Sequence, residues 1–442
     1  IFGLAPVLVF FLAALAIENV GIEAQNLGMP PLIAKVFGDV TISATMGMWA
    51  SFADIVGSII TPPIIKRVGL KQTFLWSGGA RLALAAATAG LLATSHITVP
   101  WLLALTALGA FVGGINYTSE KAIPAVLLDQ NRAGLERFKA ARQGVIEVIA
   151  TLIPIAAGAL VAQFGFLPAV FAFPVAGAVA MTLVAFTLKM PRRAAQALGA
   201  LKGSAPLRAG APAGMKDFWT SLTRGTRLLW SQPALRNSFL AYAAFSVLTH
   251  LFYWILAPAY GLLVAGPGHE EAAALIQGVM LGLLSLGGLV ASVYLMREHK
   301  RFDRLDPSQR DGAMRRSLKR WMLLGTLVLA AMATMAVPTP AWGALTLPAL
   351  ALIPFGMAQV VAKLKLEALF QSASPPEALD DTTAAMEAWM SLAIMGGLWG
   401  VQWAFASATG YGPFAIIAWA MLPLAAIGLY LTHLLARTKK SA

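Results

Sequence analysis

A cluster of polar side chains follows the first apolar segment of the chain. Residues 1–17 carry neither a charge nor a side-chain amide, and two glutamates, two asparagines and a glutamine then follow within nine positions. These residues are Glu18, Asn19, Glu23, Gln25 and Asn26. Carboxylates and amides can hold a proton, a cation or a polar ligand, and inside a membrane such residues mark binding sites and proton pathways.

The spacing of these residues predicts that they belong to a helix. Asn19, Glu23 and Asn26 follow i, i+4 and i+7 spacing and share one face, whereas Glu18 lies on the adjacent face. At a rise of 1.5 Å per residue, Glu18 lies about 24 Å along the helix, within a hydrocarbon core of about 30 Å. We therefore expect two polar stripes on a cavity wall. The alternative is a helix that ends at Ile17 and leaves the polar stretch in water.

Two further charges lie within apolar segments, where each costs about 2.5–3.5 kcal/mol at a helix centre. Asp54 falls near the middle of the second segment, and Arg81 falls in the third. One interpretation is a structural ion pair, between the two or with a glutamate of the first segment. The other is coupling to a proton or to substrate charge, in which Asp54 or Glu18 titrates as a cavity between them opens and closes.

Polar and aromatic residues of later segments are further candidates for a cavity wall. Asn116 and Tyr117 lie within the fourth segment, and His250 lies near the middle of the seventh. The side chain of histidine titrates near neutral pH, although a lone histidine can also be a hydrogen-bonded packing residue. The remaining candidates of the second half of the chain are Tyr253, Trp254, Gln359, Glu387 and Gln402.

The composition predicts an integral membrane protein. Of the 442 residues, 58% are hydrophobic and only 12% are charged, and the mean hydropathy is +0.72. A soluble domain carries about 25% charged residues, so water cannot be the solvent of most of this surface. The chain has no cysteine, which excludes disulfides and thiolate metal sites. Its net charge of +13 lies in the connections between apolar segments, so nucleic acid is not needed to explain it. We expect these basic loops to be solvated, with contact to anionic lipid headgroups as the alternative.

Apolar runs predict an all-α fold of twelve transmembrane helices, since about 20 apolar residues cross the hydrocarbon core. They lie near residues 2–27, 43–65, 72–94, 100–127, 142–164, 167–189, 237–265, 272–297, 319–338, 342–370, 382–408 and 412–436. Lysines and arginines fall in alternate connections, and only Lys35, Arg81 and Lys121 depart from this alternation. Because cytoplasmic loops collect basic residues, we expect both termini in the cytoplasm of a bacterium and the helices in its inner membrane.

The longest hydrophilic stretch divides the chain into two pseudo-symmetric six-helix halves. We expect an N-terminal half over residues 1–190, a cytoplasmic linker over 191–235 and a C-terminal half over 236–442. Residues 216–229 within the linker have the pattern of an amphipathic helix on a membrane surface. The sequence contains no phosphate-binding loop, no HExxH motif and no nucleophile elbow. We therefore expect neither an enzyme nor a cofactor.

Twelve helices in two sets of six resemble the major facilitator superfamily, and a short motif adds to the resemblance. The family's second connection usually reads Gly-x-x-x-Asp-Arg-x-Gly-Arg-Lys, and the corresponding residues here are 62–71. Arg67, Gly69 and Lys71 match the motif, whereas Lys66 replaces the acidic residue. The resemblance implies that the three matching residues belong to a gate that changes with conformation.

Two other segments resemble exporters of the same family. Residues 153–158 keep Pro154 and Gly158 of the Gly-Pro-x-x-Gly-Gly signature of proton-exchanging exporters. Residues 123–143 are similar to macrolide-efflux and siderophore-efflux proteins, and bacterial ferroportin-like and lysophospholipid-transporting proteins share this general pattern. Glu120, Arg142 and Glu147 lie close to the same end of the helices, and we expect them to form part of the cytoplasmic gate.

The resemblance implies a secondary active transporter that works by alternating access. We expect proton-coupled efflux of a small amphiphilic or chelator-like molecule, with protonation of Glu18, Glu23 or Asp54 as the coupling step. A divalent metal-ion exporter is the alternative within the same class, and a lipid-handling or assembly protein is the alternative of another class. The expected partners are the small-molecule substrate, protons or another coupling ion, and membrane lipids. The expected state is a monomer.

Overall fold

The computed structural model describes most of the chain, and its regular structure is helical wherever it is described. The described residues are 6–39, 41–94, 96–127, 132–166, 168–187, 215–266, 268–302, 307–334, 341–374, 378–407, 423, 426–431 and 433–434. The predicted twelfth segment, 412–436, and residues 191–214 of the predicted linker lie mostly or wholly outside this part of the chain. An all-α fold was expected, and the described residues confirm it.

Thirteen helices are numbered here in chain order. They are α1 (Pro6–Phe37), α2 (Thr41–Val68), α3 (Leu70–Ala93), α4 (Val99–Leu127), α5 (Arg132–Phe164), α6 (Phe173–Thr187), α7 (Met215–Ser231), α8 (Pro233–Leu251), α9 (Ala257–Ala265), α10 (Glu270–Phe302), α11 (Pro307–Thr334), α12 (Ala341–Ala373) and α13 (Leu379–Ser407). A π-helical turn, Pro168–Ala172, precedes α6, and a second, Phe252–Leu256, joins α8 to α9 without a break.

Each of the first eleven predicted segments coincides with one of these helices. Within the described residues, eight segments are long and apolar enough to cross a membrane: Pro6–Phe37, Leu70–Leu92, Val99–Glu120, Gly144–Phe164, Pro168–Thr187, Pro233–Ala265, Glu270–Leu295 and Asp381–Trp403. Helices α2, α11 and α12 occupy three more of the predicted positions. The twelve-helix count is consistent with this arrangement and stays a prediction for the last segment.

Several boundaries differ from those expected, and those of α1 and α5 bear on the candidate site. Helix α1 continues to Phe37, so the alternative in which it ends at Ile17 is wrong, and the predicted end at residue 27 is too early. Pro30 and Pro31 lie inside this helix and are buried, as are the residues that flank them. The basic residues 132–142, which were expected in a connection, form the first turns of α5.

The helices alternate in direction, which gives the bundle two ends. Helix α1 begins at the end where Lys71, Arg142 and Lys365 lie, and we name this the basic end. The opposite end, where α1 stops at Phe37, is named the far end. Contacts between α5 and α10 and between α2 and α13 show that both halves share this orientation, because each pair runs antiparallel.

A pair of glycines brings α2 and α4 into backbone contact in the N-terminal half. A Cβ atom on Gly57 would lie 2.0 Å from the backbone oxygen of Phe111, and one on Gly114 would lie 2.1 Å from that of Asp54. Each helix therefore presents a glycine to a carbonyl group of the other. Only a residue without a side chain permits such a close approach, so the two helices are fixed in register.

The same reciprocal arrangement recurs between α10 and α12 in the C-terminal half. A Cβ atom on Gly287 would lie 2.2 Å from the backbone oxygen of Ile353, and one on Gly356 would lie 2.0 Å from that of Leu284. Helices α10 and α12 are the second and fourth predicted segments of their half, as α2 and α4 are of theirs. The two halves thus repeat one packing device at equivalent positions.

Candidate functional site

A buried ion pair joins α1 to α3 inside the N-terminal half. The guanidinium of Arg81 forms a salt bridge with the Glu18 carboxylate, whose side chain is only 4% exposed. Asn116 of α4 donates its amide to the same carboxylate at 3.4 Å, and its amide oxygen accepts a hydrogen bond from Ser77 at 2.9 Å. Of the interpretations of Arg81, the structure therefore shows the pair with a glutamate of the first helix.

A second ion pair extends this cluster towards the basic end. Arg142 of α5 donates from two nitrogens to one oxygen of the Glu120 carboxylate, at distances of 2.8 and 3.2 Å. Glu120 in turn interacts electrostatically with Arg81. Charges of alternating sign thus run through α1, α3, α4 and α5. The guanidinium of Arg142 also lies 6.0 Å from the ring centre of Tyr117, within the range of a cation–π contact.

Glu18, which belongs to the first polar stripe of α1, finds its counter-charge within its own half. A buried carboxylate needs a counter-charge and hydrogen-bond donors, and Arg81 and Asn116 supply them for one oxygen of Glu18. The other oxygen, Oε2, is buried without a hydrogen-bond partner among the described residues. A proton or a polar ligand atom could bind at this oxygen.

Glu23 and Asn26, which belong to the second polar stripe of α1, contact the C-terminal half. The Tyr253 hydroxyl, in the π-helical turn after α8, donates a hydrogen bond of 2.6 Å to the Glu23 carboxylate. Asn26, one turn further along α1, also interacts with this hydroxyl. The neighbouring indole of Trp254 packs on Gly47 of α2, where a Cβ atom would lie 3.2 Å from the ring. Tyr253 and Trp254 thus attach the C-terminal half to two helices of the N-terminal half.

Polar contacts between the halves are also present at the far end. Lys35 near the end of α1 forms a salt bridge with Glu271 in the first turn of α10. Gln402 near the end of α13 donates a hydrogen bond of 2.6 Å to the Thr45 hydroxyl of α2. These side chains come from opposite halves, so their contacts join the halves at the far end.

The C-terminal half contains its own polar group around His250. The His250 ring nitrogen Nδ1 lies 2.7 Å from the backbone oxygen of Ser246, within hydrogen-bond distance. This contact agrees with the interpretation of His250 as a hydrogen-bonded packing residue. Gln359 of α12 donates to the Thr249 hydroxyl of α8. Tyr242 on the same helix interacts electrostatically with Glu387 of α13. In this half, Gln359 thus lies near Thr249 and Glu387 near Tyr242, whereas His250 contacts its own helix.

A third buried ion pair lies at the basic end of the C-terminal half. Lys365 of α12 forms a salt bridge with Glu298 of α10, and the side chains are 6% and 9% exposed. Glu298 also accepts hydrogen bonds from Ser317 at 2.5 Å and from Tyr294 at 3.0 Å. Burial alone would raise the pKa of Glu298, but the Lys365, Ser317 and Tyr294 donors outweigh it and hold that pKa below its ordinary value.

Four other predicted site residues, Asn19, Asp54, Glu387 and Glu147, lie outside the buried ion pairs. Asn19 donates to the backbone oxygen of Leu15 on its own helix, at 2.7 Å. Asp54 and Glu387 are exposed, and Asp54 contributes its backbone oxygen to the contact between α2 and α4. Glu147 of α5 lies close to Gly288 of α10, in the contact between the halves.

The predicted gate residues near the connection of α2 and α3 are only partly described. Gly69 separates the two helices with a φ of 95°, a left-handed conformation that glycine adopts without strain. Lys71 donates to the backbone oxygen of Phe186 near the end of α6, at 3.1 Å. The side chain of Arg67 lies outside the described part of the chain.

The remaining gate candidates form the crossing of α5 and α10. A Cβ atom on Gly158 would lie 2.8 Å from the backbone oxygen of Ala274, and one on Gly278 would lie 2.2 Å from that of Pro154. These contacts join the two halves through backbone rather than through side chains. Pro154 and Gly158 therefore lie at an interface between the halves.

Several residues of the site were not identified from the sequence. Hydroxyl groups of Ser77 and Thr45 complete the contacts of Asn116 and Gln402, but serine and threonine are too common in apolar helices to stand out. The pair of Lys35 and Glu271 had a usable signal. Lys35 was one of three basic residues outside the alternate connections, and the other two, Arg81 and Lys121, lie within predicted segments. A nearby carboxylate stabilises such an isolated positive charge.

A metal site finds no further support in this geometry. Among the described residues, no group of three or more histidine, aspartate or glutamate side chains is placed to hold a metal ion. Two side chains that could be ligands in a metal exporter have other partners: Glu23 bonds to Tyr253, and His250 contacts the backbone oxygen of Ser246.

Comparisons with solved structures identify the fold. The crystal structure of the nucleoside transporter NupG is similar over 99% of this chain and 100% of its own, with 12% sequence identity and a TM-score of 0.68. A bacterial metal transporter covers 98% of this chain and 100% of its own, with 14% identity and a TM-score of 0.63. A bacterial homologue of the iron transporter ferroportin, in an inward-facing state, covers 98% of each chain with 14% identity and a TM-score of 0.60.

The family is established by the sequence itself. The comparison with curated proteins found no significant match. The family model of the Major Facilitator Superfamily, however, matches residues 7–398, which is most of the chain and includes both halves. Structural likeness at 12–14% identity adds the fold but no substrate. The chain belongs to the Major Facilitator Superfamily and is a multi-pass membrane transporter.

Proposed function

We propose that the protein is a secondary active transporter that couples proton movement to the efflux of a small amphiphilic or chelator-like molecule. The observation that carries this proposal is the hydrogen bond from Tyr253 to Glu23, because it places a titratable group in a contact between the halves. Alternating access requires the contacts between the halves to break at one end and form at the other. A proton that changes the strength of such a contact can drive the exchange.

Protonation of Glu23 would weaken this contact. A hydrogen bond to an ionised carboxylate is about twice as strong as one between neutral groups. Protonated Glu23 would also leave Tyr253 without exposing a bare charge to the membrane interior, which would otherwise be costly. Glu18 differs, because Arg81 already neutralises it within the N-terminal half. We therefore propose Glu23 as the coupling residue among the three carboxylates considered.

The orientation follows from the distribution of basic residues. We propose that the basic end faces the cytoplasm, in accordance with the preference of cytoplasmic loops for lysine and arginine. The contacts of Lys35 with Glu271 and of Thr45 with Gln402 would then close the periplasmic side of a bacterial inner membrane. The moving units would be the halves 1–190 and 236–442, joined by the linker 191–235.

The direction and the substrate class rest on two features. Residues 123–143 and 153–158 resemble exporters, which favours outward transport. Aromatic and polar groups lie together in each half, with Tyr117 exposed in the first and with Tyr242, His250 and Glu387 in the second. Such a combination suits a molecule with both an apolar body and polar groups.

Transport by the purified protein in proteoliposomes tests the coupling. Uptake of ethidium, desferrioxamine, uridine and Fe²⁺ is measured in vesicles with and without an acidic interior. We expect at least one of the first two probes to accumulate only with the pH gradient. Glu23→Gln should abolish accumulation but retain exchange of labelled for unlabelled probe, because the neutral side chain fixes one protonation state.

Glu271→Gln is the matched control, since it weakens another contact between the halves without touching the buried carboxyl group. It should retain gradient-driven accumulation. Accumulation that survives Glu23→Gln would contradict the role of Glu23. Transport of Fe²⁺ alone would support the metal exporter, and transport of no probe under either condition would favour the lipid-handling alternative.

A further inference from the structure

The short helix α7 lies at the basic end, where α8 and α13 begin. It ends at Ser231, and α8 begins only two residues later at Pro233 and enters an apolar span that continues to Ala265. Its middle packs against the first turn of α13 at Asp381. Because α8 and α13 both enter the membrane at this point, α7 is placed at the level of the lipid headgroups.

One face of α7 is docked on α13. A Cβ atom on Gly225 would lie 1.9 Å from the backbone oxygen of Asp381, so the two helices touch through their backbones. Thr226 accepts a hydrogen bond of 3.2 Å from the indole of Trp389, and Leu229 is fully buried. These contacts fix which side of α7 remains outside.

The outer face of α7 combines tryptophan with arginine. Trp219, Thr223 and Arg227 follow i, i+4 and i+8 spacing and are exposed, and Trp219 retains 56% of its accessible surface. Trp230 at the end of the same face is 37% exposed. Arg224 lies beside this face and is largely exposed, although it approaches Asp381 at 3.6 Å. The exposed charges of α7 whose side chains are described are thus both positive.

We propose that the outer face of α7 binds anionic phospholipid headgroups, with Arg227 as the principal phosphate contact and Arg224 as the second. Tryptophan prefers the headgroup region because its ring is apolar and its N–H is polar. Guanidinium groups pair with phosphate in a bidentate manner, and anionic leaflets attract basic segments at their surface. Trp219 is the more exposed tryptophan of this face, whereas Trp230 also packs edge-on against Trp389 of α13 and Phe239 of α8, so the ring that enters the headgroup region is mainly that of Trp219.

The binding would reach the transport machinery through α13. Arg224 is shared between the outer face and Asp381, so a phosphate group competes with that carboxylate. The far end of α13 holds Gln402, which bonds to Thr45 of the other half. Headgroup binding at one end of α13 therefore acts on a helix that contributes to closure at the other. This proposal does not depend on the substrate or on proton coupling.

A fluorescent label on a single cysteine tests the proposal, because the chain contains no cysteine of its own. Thr223→Cys places an environment-sensitive dye on the outer face of α7, and Thr98→Cys places the same dye at the far end as a control. Phosphatidylglycerol or phosphatidylcholine is titrated into the full-length protein in detergent. We expect a blue shift at position 223 with phosphatidylglycerol only, and a weaker response as the salt concentration rises.

Charge-removing substitutions separate this site from general attraction. Arg227→Gln should raise the concentration of phosphatidylglycerol at half-maximal response about five-fold, the effect of one arginine near an anionic surface. Arg320→Gln removes an exposed arginine of α11 and should leave the response unchanged. Both residues are exposed, and equal unfolding temperatures of the two variants would verify that the fold is retained.

Three results would overturn the proposal. Equal responses to the two lipids would show that α7 does not recognise charge. Equal weakening by Arg227→Gln and Arg320→Gln would show a diffuse attraction to the basic end. A dye at position 223 that stays in water with either lipid would leave the outer face available to a soluble protein instead.

Discussion

At the scale of residues, the buried charges of this transporter form groups with different roles. The pair of Glu18 and Arg81 is internal to one half, whereas Glu23 meets Tyr253 of the other half. A buried ion pair contributes little net stability, because the loss of hydration offsets the attraction between the charges. Removal of one partner is costly, however, since it leaves the other charge buried and unpaired.

Arg81→Gln should therefore destabilise the protein strongly. We expect a loss of about 3–5 kcal/mol, the usual effect of breaking a buried pair, and a partial recovery when Glu18→Gln is added. Thermal unfolding in detergent measures both effects. Arg236→Gln, at an exposed site, serves as the control and should change the unfolding temperature little. A double variant less stable than Arg81→Gln would contradict the pairing.

The ion pair of Glu298 and Lys365 should give stability an acid dependence. The donors around Glu298 lower its pKa in the folded protein, whereas in the unfolded chain the pKa is about 4.3. The pair thus stabilises the fold fully above the unfolded value, and this stability is lost as the pH falls through the folded value. The difference in unfolding temperature between the wild type and Glu298→Gln should shrink in acid. A difference independent of pH would contradict this.

The sequence allowed the polar residues of the site to be listed but not paired. Glu18, Glu23, Arg81 and Asn116 stood out because each is costly inside an apolar helix. Spacing on a helix showed that Glu18 and Glu23 lie on different faces, yet nothing in the spacing showed which half each face would meet. That choice depends on the rotation of α1 against its neighbours, which is set by the packing of the whole bundle.

At the scale of elements, glycine determines where helices meet. The contacts of α2 with α4 and of α10 with α12 are reciprocal and lie within a half. The crossing of α5 and α10 joins the halves and uses the same device, with Gly278 against Pro154. Close backbone packing therefore joins the halves here as it joins helices within each half.

Gly278→Ala should disturb this crossing. The added Cβ atom would lie 2.2 Å from the Pro154 oxygen, so the helices must separate, and overpacking of this kind costs about 1–3 kcal/mol. Gly396→Ala on α13 is the matched control, since nothing lies within 4 Å of the added atom. Alanine should there raise stability slightly through its helix propensity. Equal unfolding temperatures for both variants would show that the crossing is loose.

The helices themselves were largely predictable, because hydropathy and basic connections constrain them strongly. The ends were not. Helix α1 passes through Pro30 and Pro31 to Phe37, although proline usually ends a helix in water. In a membrane bundle, neighbouring helices can accommodate such residues, so the local sequence signal for a helix end loses its value.

At the scale of the whole molecule, polar contacts across the halves close the far end. Lys35 with Glu271 and Thr45 with Gln402 lie at that end, and Glu23 with Tyr253 lies deeper in the bundle. In the alternating-access model, these contacts must all open during the cycle. We therefore expect this arrangement to alternate with one in which the far end is open.

Locking the far end should stop transport. Thr45→Cys with Gln402→Cys places one thiol in each half. A short bis-methanethiosulfonate reagent, which forms a disulfide with each thiol, can join only these two, because the chain has no cysteine of its own. We expect the crosslinked protein to lose transport in proteoliposomes and to regain it on reduction. Thr45→Cys alone, treated with the same reagent, should remain active. Undiminished transport by the crosslinked protein would show that the far end need not open.

The reciprocal glycine contacts have a consequence for spectroscopy. They hold α2 against α4 and α10 against α12, so we expect each half to move as a unit, with Glu18 remaining beside Arg81 and Glu23 losing Tyr253 when the halves separate. An infrared difference spectrum between the two conformations would then contain the carboxyl vibration of Glu23 and lack that of Glu18. The spectrum would thus distinguish two glutamates of the same helix by whether their surroundings change between the two conformations.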